Sequence, residues 1–373
     1  LSAARARIAQ LHTEIDKLQR LMDSLLAERD QCCQTLADFK YPILTLPTEI
    51  LSEIFLQFLP PYPERPSFIG KKSPSFLLQI CRRWRDVALA TPALWSTMNL
   101  LLYNSNHHAQ QRDLLKIWLQ RSGNCALSIR VDYLKEANDD GTIIEECLAA
   151  LLRHASRWQD IDVTLPFEEL RGISGAMPFL RSVTIGIESW EERPEEPVVL
   201  FADAPALKHV VLSRSFDPFM VSLPWSQITT LNADEFYTNE IVEILRQTTM
   251  LEDCTLTILS GAVSLPASSI HIPSLPLRSL RLKWDDYPNP GQGAHEAQQL
   301  FRALHLPALE TLMVHEIFLG PHPIATLPAV FPNGFPQQIE IFGAYTPRED
   351  YKAAFPRASL TVYGYGRIAS ENS

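Results

Sequence analysis

The 373-residue chain has little cysteine, and its cysteines do not form the pattern of a metal site or of a disulfide framework. The six cysteines are scattered, no CxxC pair occurs, and no Cys/His cluster has zinc-finger spacing. Sparse cysteines in a large chain are typical of reduced thiols in a reducing compartment. We therefore expect no metal and no cofactor, and a location in the cytoplasm or the nucleus.

The chain also lacks a long apolar run and an excess of basic residues. No stretch approaches the roughly 18 apolar residues that a membrane span needs. The net charge is −10 overall, 0 in residues 1–40 and +2 in residues 41–100, so residues 101–373 carry −12. Binding to nucleic acid needs Lys and Arg to neutralise phosphates. We therefore expect no membrane and no nucleic acid among its partners.

Sequence motifs of catalysis are missing as well. There is no GxSxG, no P-loop and no GxGxxG, and neither "HE" dipeptide is followed by the second His of a zinc protease. His107 and His108 are adjacent in a polar segment, and Asp285 and Asp286 fit a turn more simply than a cation site. We expect a protein that is not an enzyme; a hydrolase with cryptic site residues is the disfavoured alternative.

Residues 1–40 have the heptad pattern of a coiled coil. Apolar residues recur at alternating steps of three and four, broken only by Arg29, and no Pro or Gly interrupts them. These positions are Ile8, Leu11, Ile15, Leu18, Met22, Leu25, Cys32, Leu36 and Phe39. A lone helix needs packing to be stable, so this stripe either pairs with a second copy, giving a homodimer through residues 8–39, or folds back on its own chain.

Residues 41–100 predict three short helices with more apolar surface than so small a unit can bury. "LPTEILSEIF" (46–55) begins with Pro47 in a first helical turn, a Pro-rich loop spans 60–75, and "CRRWRDVALATPALW" (81–95) supplies two more helices. Three helices in about fifty residues make a weak independent core. Part of the apolar surface therefore either meets a partner protein or packs on the rest of the chain.

The two stretches resemble the F-box. The family pattern of Leu-Pro-x-Glu-(Ile/Leu)-Leu-x-x-Ile-Phe, then (Cys/Val)-x-(Lys/Arg)-Trp, then Leu-Trp, is matched in order within residues 42–98. The resemblance implies a substrate receptor that docks a Skp-type adaptor and, through it, a cullin–RING ubiquitin ligase. The residues that it implies for adaptor binding are Leu46, Pro47, Glu49, Ile50, Leu51, Ile54, Phe55, Cys81, Trp84, Leu94 and Trp95. The 60–75 loop is longer than the family's by roughly ten residues, which leaves its effect on docking open. A scaffold acting outside the ligase, with the coiled coil as its main interaction element, is the alternative function.

Residues 101–373 contain weak repeats of the form Pro-x-Leu-x-x-(Leu/Val)-x-(Leu/Val/Ile), such as "APALKHVVL" (204–212) and "LPALETLMV" (306–314). The central apolar anchors of the repeats are Ile161, Val183, Val210, Leu231, Cys254, Leu280, Leu312 and Ile339. Nearly all their spacings lie within the roughly 20–29 residues of leucine-rich repeats. Helical stretches at 107–123, 142–158, 239–249 and 295–304 separate the predicted strands, which counts against a β-propeller.

The predicted fold is therefore α/β: an N-terminal coiled-coil helix (1–40), a small three-helix F-box (41–100) and a degenerate leucine-rich-repeat-like solenoid (101–373). Its strands are parallel, and its helices lie on the convex side. A protein substrate would bind the concave face or the rim loops through exposed aromatic residues. The residues expected for this contact are Trp190, Trp225, Trp284 and Tyr287.

Overall fold

The N-terminal forty residues are dominated by one continuous helix. In the computed structural model, helix α1 spans Ser2–Asp38 and has 37 residues. The structure describes residues 1–38, 42–103, 105–135, 141–189, 196–213, 216–261, 272–288, 293–331, 334–356 and 359–364. Every side chain from Leu1 to Leu36 is exposed, so the predicted apolar stripe is not covered by any described part of the chain. Of the two expectations for this stripe, folding of α1 back onto the described part of its own chain is not observed. Phe39, the last residue of the predicted stripe, lies outside the described residues.

The next segment is a small helical unit, residues 42–95. It contains a 3-10 turn (Pro42–Thr45), helix α2 (Thr48–Leu56), a 3-10 helix (Pro74–Gln79), helix α3 (Arg82–Leu89) and a final 3-10 helix (Pro92–Trp95). Helix α2 begins one residue later than predicted, because Pro47 occupies its N-cap position and not its first turn. The predicted second helix is divided at Cys81, whose extended backbone separates the 3-10 helix from α3.

The rest of the described chain is built around a mixed α/β arrangement with one large parallel sheet. Eleven strands form it in the order β1-β2-β3-β4-β6-β8-β9-β10-β11-β12-β13, and β5 pairs separately with β7. The strands are β1 (Thr97–Leu102), β2 (Leu127–Tyr133), β3 (Trp158–Leu165), β4 (Ser182–Ile187), β5 (Val198–Val199), β6 (His209–Ser213), β7 (Val221–Ser222), β8 (Thr230–Phe236), β9 (Asp253–Ser260), β10 (Ser279–Pro288), β11 (Thr311–His315), β12 (Gln338–Ala344) and β13 (Ser359–Gly364). Each strand of the large sheet therefore pairs with the next strand of that sheet along the chain.

The repeat anchors predicted from the sequence form one straight row across this sheet. The register aligns Ile161 with Val183, Val210, Leu231, Cys254, Leu280, Leu312 and Ile339 in successive strands. All eight are at most 2% exposed. Met98 and Ile129 extend the row on one side, and Leu360 extends it on the other. The repeat phase was thus predicted correctly, because each anchor is covered by the equivalent residue of its neighbours.

Helices between the strands pack on the face of the sheet that carries this row. They are α4 (Ser105–Arg121), α5 (Thr142–Leu152), α6 (Phe167–Arg171), α7 (Thr238–Gln247), α8 (Ala294–Ala303), α9 (Pro323–Val330) and α10 (Arg348–Ala354). The helix predicted over 142–158 ends at Leu152, since Trp158 already begins β3. Alternate strand residues point the other way, onto a face that the described helices do not cover, called here the open face.

Within the described residues, no helix is both long enough and apolar enough to span a bilayer.

Candidate protein-binding surfaces

Helix α2 has apolar side chains on two adjacent faces, about 100° apart around its axis. Leu51 and Phe55 are 0% and 1% exposed and enter the core, whereas Ile50 and Ile54 are 49% and 42% exposed. Pro47 before the helix and Phe58 after it are also exposed, and these outward residues follow at steps of three and four. We call Pro47, Ile50, Ile54 and Phe58 the α2 strip. So wide an apolar surface needs cover over all of its width, and the described part of the chain supplies cover only on the inner side, over Leu51 and Phe55.

Four residues predicted for adaptor contact lie inside the core instead. Leu51, Phe55, Leu94 and Trp95 are each at most 1% exposed, so in this structure they hold the helical unit together and present no surface. Their apolar side chains are more favourable buried than exposed, and the unit's small size leaves few other residues to fill its interior. Among the predicted adaptor residues, the exposed set is therefore Pro47, Glu49, Ile50 and Ile54.

The remaining predicted adaptor residues join the ends of the helices. Leu46 is half-buried, and its carbonyl accepts a hydrogen bond from the Arg83 guanidinium of α3. Cys81 caps α3, with its Sγ accepting from the Trp84 backbone N–H at 3.5 Å. The Trp84 ring is half-buried and lies 4.9 Å from the Phe55 ring, centroid to centroid. These contacts fix the start of α2 against α3, which sets the direction of the α2 strip.

Trp95 joins the helical unit to the sheet. Its indole Nε1–H donates to the Ala88 carbonyl of α3 at 2.9 Å. Its ring meets the Trp118 ring of α4 edge to face at 5.2 Å, and the Arg121 guanidinium lies 4.6 Å from its centroid. An edge-to-face ring pair and a cation over an aromatic face both stabilise the fold beyond the burial of their surface. The helical unit and the first strands therefore share one core. This agrees in part with the expectation that the unit packs on the rest of the chain.

The long insert between α2 and the following 3-10 helix turns towards the sheet. Ser67 forms a parallel bridge with Asn99 of β1, and Phe68, only 4% exposed, packs edge to face on Trp118 at 5.0 Å. The insert and the first strands enclose a cavity of about 400 Å³ that reaches Asp160. A second attachment therefore fixes the helical unit on the sheet, on the side of the open face.

A buried charge anchors this insert. The Arg65 side chain is 5% exposed and reaches Asp162 of β3 at 3.4 Å, and it donates to Ser128 Oγ of β2 at 3.2 Å. Arg130 lies 3.6 Å from the same Asp162 carboxylate. Burial raises the pKa of Asp162, while the two arginines oppose that rise. Removing one partner from such a pair leaves an uncompensated charge, which makes the contact sensitive to mutation.

The far end of the open face carries a second cavity of about 400 Å³. Strand alternation places Arg281 and Lys283 of β10 on this face, with Met313 and His315 on β11 and Phe342 on β12. Phe342 stacks on Tyr363 of β13, with centroids 4.8 Å apart and rings 5° from parallel. We call this the β10–β12 pocket. Asp285 lines it as well, but the basic residues outnumber it, so the pocket suits an extended peptide with acidic and apolar residues.

The aromatic residues predicted to bind a substrate do not behave alike. Trp284 is half-buried and borders the β10–β12 pocket, but strand alternation places its side chain on the face of the anchor row, where its ring meets the buried Phe318 edge to face at 5.9 Å. Trp225 is 3% exposed and packs on Phe216, so the prediction that it presents a surface is wrong. It begins a short 3-10 helix that turns its ring inwards. Trp190 lies outside the described residues, and Tyr287 lies in β10 with a side chain that the structure does not describe.

Several residues of these surfaces were missed from the sequence. Phe58 continues the i, i+4 spacing of Ile50 and Ile54, so periodicity alone could have found it. Arg281 and Lys283 alternate with the buried Leu280 and Leu282, which is a strand signal for the opposite face. Arg65 had no such signal, because its partner Asp162 lies 97 residues away.

The described residues hold no group of three His, Cys, Asp or Glu side chains that could bind a metal ion. No family model matches the chain, and no curated protein shows significant similarity to its sequence.

Proposed function

We propose that the chain is a non-catalytic substrate receptor of a Skp–cullin–F-box ubiquitin ligase. The observation that carries the proposal is the α2 strip, an outward apolar face on a helix whose inner face is already buried. It occurs within the F-box-like sequence pattern. Docking the strip in an adaptor would bury Ile50 and Ile54, for which full burial of each side chain contributes about 1.5–3 kcal/mol.

The other half of the proposal concerns the sheet. Consecutive parallel pairing and the aligned anchor row support a leucine-rich-repeat-like solenoid. The β10–β12 pocket is the proposed contact for a protein substrate. Catalysis would come from proximity, since the receptor would hold its substrate near a ubiquitin-loaded enzyme. Such a receptor acts in the cytoplasm or the nucleus.

The two attachments of the helical unit support this role physically. The Trp95–Trp118 contact and the Arg65–Asp162 pair both join the unit to the first strands. A rigid joint keeps a constant distance between the α2 strip and the β10–β12 pocket. Positioning of a substrate requires such a fixed geometry, because small misplacements of reacting groups reduce rates steeply.

Titration of purified Skp-type adaptor with the full chain tests the docking half. We expect the double substitution Ile50→Asp, Ile54→Asp to weaken binding at least about 100-fold, since two charges would enter an apolar contact. Met250→Asp, at a residue 54% exposed and remote in sequence from α2, is the matched control and should bind as wild type. Circular dichroism of each variant verifies folding. Absence of adaptor binding by the wild type, or equal binding by the double variant, contradicts the proposal.

The substrate half is tested separately by protein abundance. Deleting the chain from its host should cause its substrates to accumulate, and wild-type chain should restore their turnover. We expect Arg281→Glu with Lys283→Glu to fail in restoring it, while adaptor binding stays unchanged. Lys208→Glu with Lys352→Glu reverses the same amount of charge elsewhere and is the control. Full restoration by the pocket variant would exclude the β10–β12 pocket as the contact.

The second candidate is a scaffold protein acting outside a ligase. The exposed apolar stripe of α1 favours it, because that stripe is an interaction element of its own. A wild-type chain that associates through α1 but binds no adaptor would establish this function in place of the first.

A further inference from the structure

We infer that helix α1 pairs with α1 of a second copy of this chain as a parallel, in-register, two-stranded coiled coil. The stripe of α1 is long and entirely open: Ile8, Leu18 and Leu25 are 53%, 62% and 56% exposed. No described segment of the chain lies against it, since every side chain from Leu1 to Leu36 is exposed. The inference concerns α1 alone and does not depend on adaptor binding.

The residue types in the stripe select two parallel strands. With Ile8 as heptad position a, the next a residues are Ile15 and Met22, and every d residue in these three heptads is Leu. The d residues are Leu11, Leu18 and Leu25. β-Branched residues at a with Leu at d favour a parallel dimer, because each side chain then points suitably into its hole on the partner helix.

The flanking positions agree with the parallel orientation. In a parallel pair a g residue meets the e residue five positions later on the partner, so Leu21 meets Leu26 and widens the apolar contact. Both are exposed, at 57% and 39%. An antiparallel pair with the full helix overlapped would instead set Glu14 against Glu28 of the second copy, twice. Like charges in that position oppose association.

The single charged residue of the stripe also fits. Arg29 occupies an a position, and in the separate chain its guanidinium contacts the neighbouring Asp30. In a parallel pair Arg29 faces Arg29 of the second copy, and the preceding g residue, Glu28, lies beside the partner's a position, so each Arg29 can pair with Glu28 of the other copy and offset the like-charge contact. A polar a residue reduces stability and specifies register and strand number. This is the role that we assign to Arg29.

Parallel pairing has a consequence for the rest of the chain. Helix α1 ends at Asp38 and α2 begins at Thr48, so about ten residues, or at most about 36 Å of extended chain, separate them. Two helical units would therefore emerge at the same end of the coiled coil. Each dimer would present two α2 strips close together.

Two adjacent cysteines provide a direct test. Cys32 is at d, where it faces Cys32 of the second copy only in a parallel, in-register pair; Cys33 is at e and points away from its counterpart. Both are exposed, whereas Cys147 and Cys254 are buried, and burial raises the pKa of Cys147 to about 12. Mild oxidation of the full chain with copper–phenanthroline should yield a covalent dimer in the wild type and in Cys33→Ser. Cys32→Ser should lose that dimer.

Sedimentation under reducing conditions measures association independently of the cysteines. We expect the wild type to be a dimer at micromolar concentration and Leu25→Asp, at d, to weaken association at least about 100-fold. Ala27→Asp places the same charge on the outer f position two residues away and should leave the dimer intact. A monomeric wild type overturns the inference, as does a dimer that cross-links equally well without Cys32, or one that cross-links only through Cys33.

Discussion

Helix α1 and the anchor row of the sheet use the same kinds of residue for opposite purposes. The stripe of α1 and the row across the sheet both consist mainly of aliphatic side chains at regular intervals. The α1 residues are roughly half exposed, whereas the row from Ile161 to Ile339 is at most 2% exposed. The difference lies in what each element has beside it.

Strands of the sheet provide cover for one another. Each anchor has equivalent anchors on the neighbouring strands, so each added repeat buries the anchor of the repeat before it. A single helix has no neighbour of its own kind within the chain, and its stripe stays open until a second copy arrives. The same hydrophobic pattern therefore builds a core where it is repeated in the chain and an interface where it occurs once.

The largest expected effect comes from a gap in the anchor row. Leu280 is 1% exposed near the start of β10, and its substitution by Ala should lower the unfolding free energy by about 2–5 kcal/mol, because the resulting cavity cannot close between paired strands. Leu18→Ala in α1 should change the sheet's unfolding by less than about 0.5 kcal/mol. Urea unfolding followed by tryptophan fluorescence measures both. Equal losses would mean that α1 and the sheet share a core.

The next largest loss of stability is expected from breaking a buried ion pair, in comparison with an exposed one. Arg65→Ala should lower the unfolding free energy by about 1–3 kcal/mol, because the Asp162 carboxylate keeps Arg130 but loses Arg65, the nearer of its two positive partners. Arg278→Ala breaks the ion pair between Arg278 and Glu310, whose side chains are 65% and 48% exposed respectively. This substitution should lower the unfolding free energy by only about 0–1 kcal/mol. Hydrogen exchange should also rise across residues 60–73 only in the Arg65 variant. If exchange there stays slow, the insert is held by other contacts.

A smaller, pH-dependent effect is expected at the last strands. Tyr351 is fully buried, and its hydroxyl donates to Glu316 Oε1 at 2.7 Å; burial and then this bond raise the Tyr351 pKa. An unfolded Tyr ionises near pH 10, so the stability from this group is complete below about pH 10 and is lost as pH rises above it.

Tyr351→Phe should therefore lower the unfolding free energy by about 1–2 kcal/mol at neutral pH, and should flatten its decline above about pH 10. Tyr345→Phe, at a residue that is 75% exposed, should change neither quantity. Unfolding curves collected at several pH values provide the measurement. An unchanged alkaline decline in the Tyr351 variant would show that another group causes it.

The smallest expected effect on stability is in the α2 strip. Ile50→Asp with Ile54→Asp should shift the unfolding free energy by less than about 1 kcal/mol, because both residues lie at the surface, 49% and 42% exposed, and an added carboxylate there stays in water. Leu51→Asp, one residue away and fully buried, should abolish folding of the helical unit. Thermal unfolding of the two variants compares the outer and inner faces of one helix. A large loss from the outer pair would mean that the strip is part of the core.

Much of the sheet was predictable because its signal is local and repeated. The phase of eight anchors, and the helices near 239–249 and 295–304, followed from spacing alone, since a repeat buries the same position each time. The division of α2 into an outer and an inner face was less accessible. The sequence stripe of Ile50, Leu51, Ile54 and Phe55 is continuous, and only packing selects which pair enters the core.

Contacts between distant segments were not predictable. Trp225 was expected to be one of the exposed aromatic residues that contact a substrate, yet it is 3% exposed and packs against Phe216. The 60–75 insert was predicted only as a loop, and its attachment through Arg65 depends on Asp162 of β3. No local sequence pattern identifies Arg65 and Asp162 as partners, because their side chains meet only after β2 and β3 have paired.

The sequence by itself determined the spacing of apolar residues in this protein: the heptads of α1, the amphipathic pattern of the short α2, and the regular intervals between the strands of the sheet. Backbone geometry converts each period into one element with a defined apolar face, which is why these features could be predicted without neighbours. The tertiary structure alone decided which apolar faces are covered and which stay open. Burial depends on segments far apart in the chain meeting in space; that meeting covers the anchor row and leaves the α1 stripe and the α2 strip exposed.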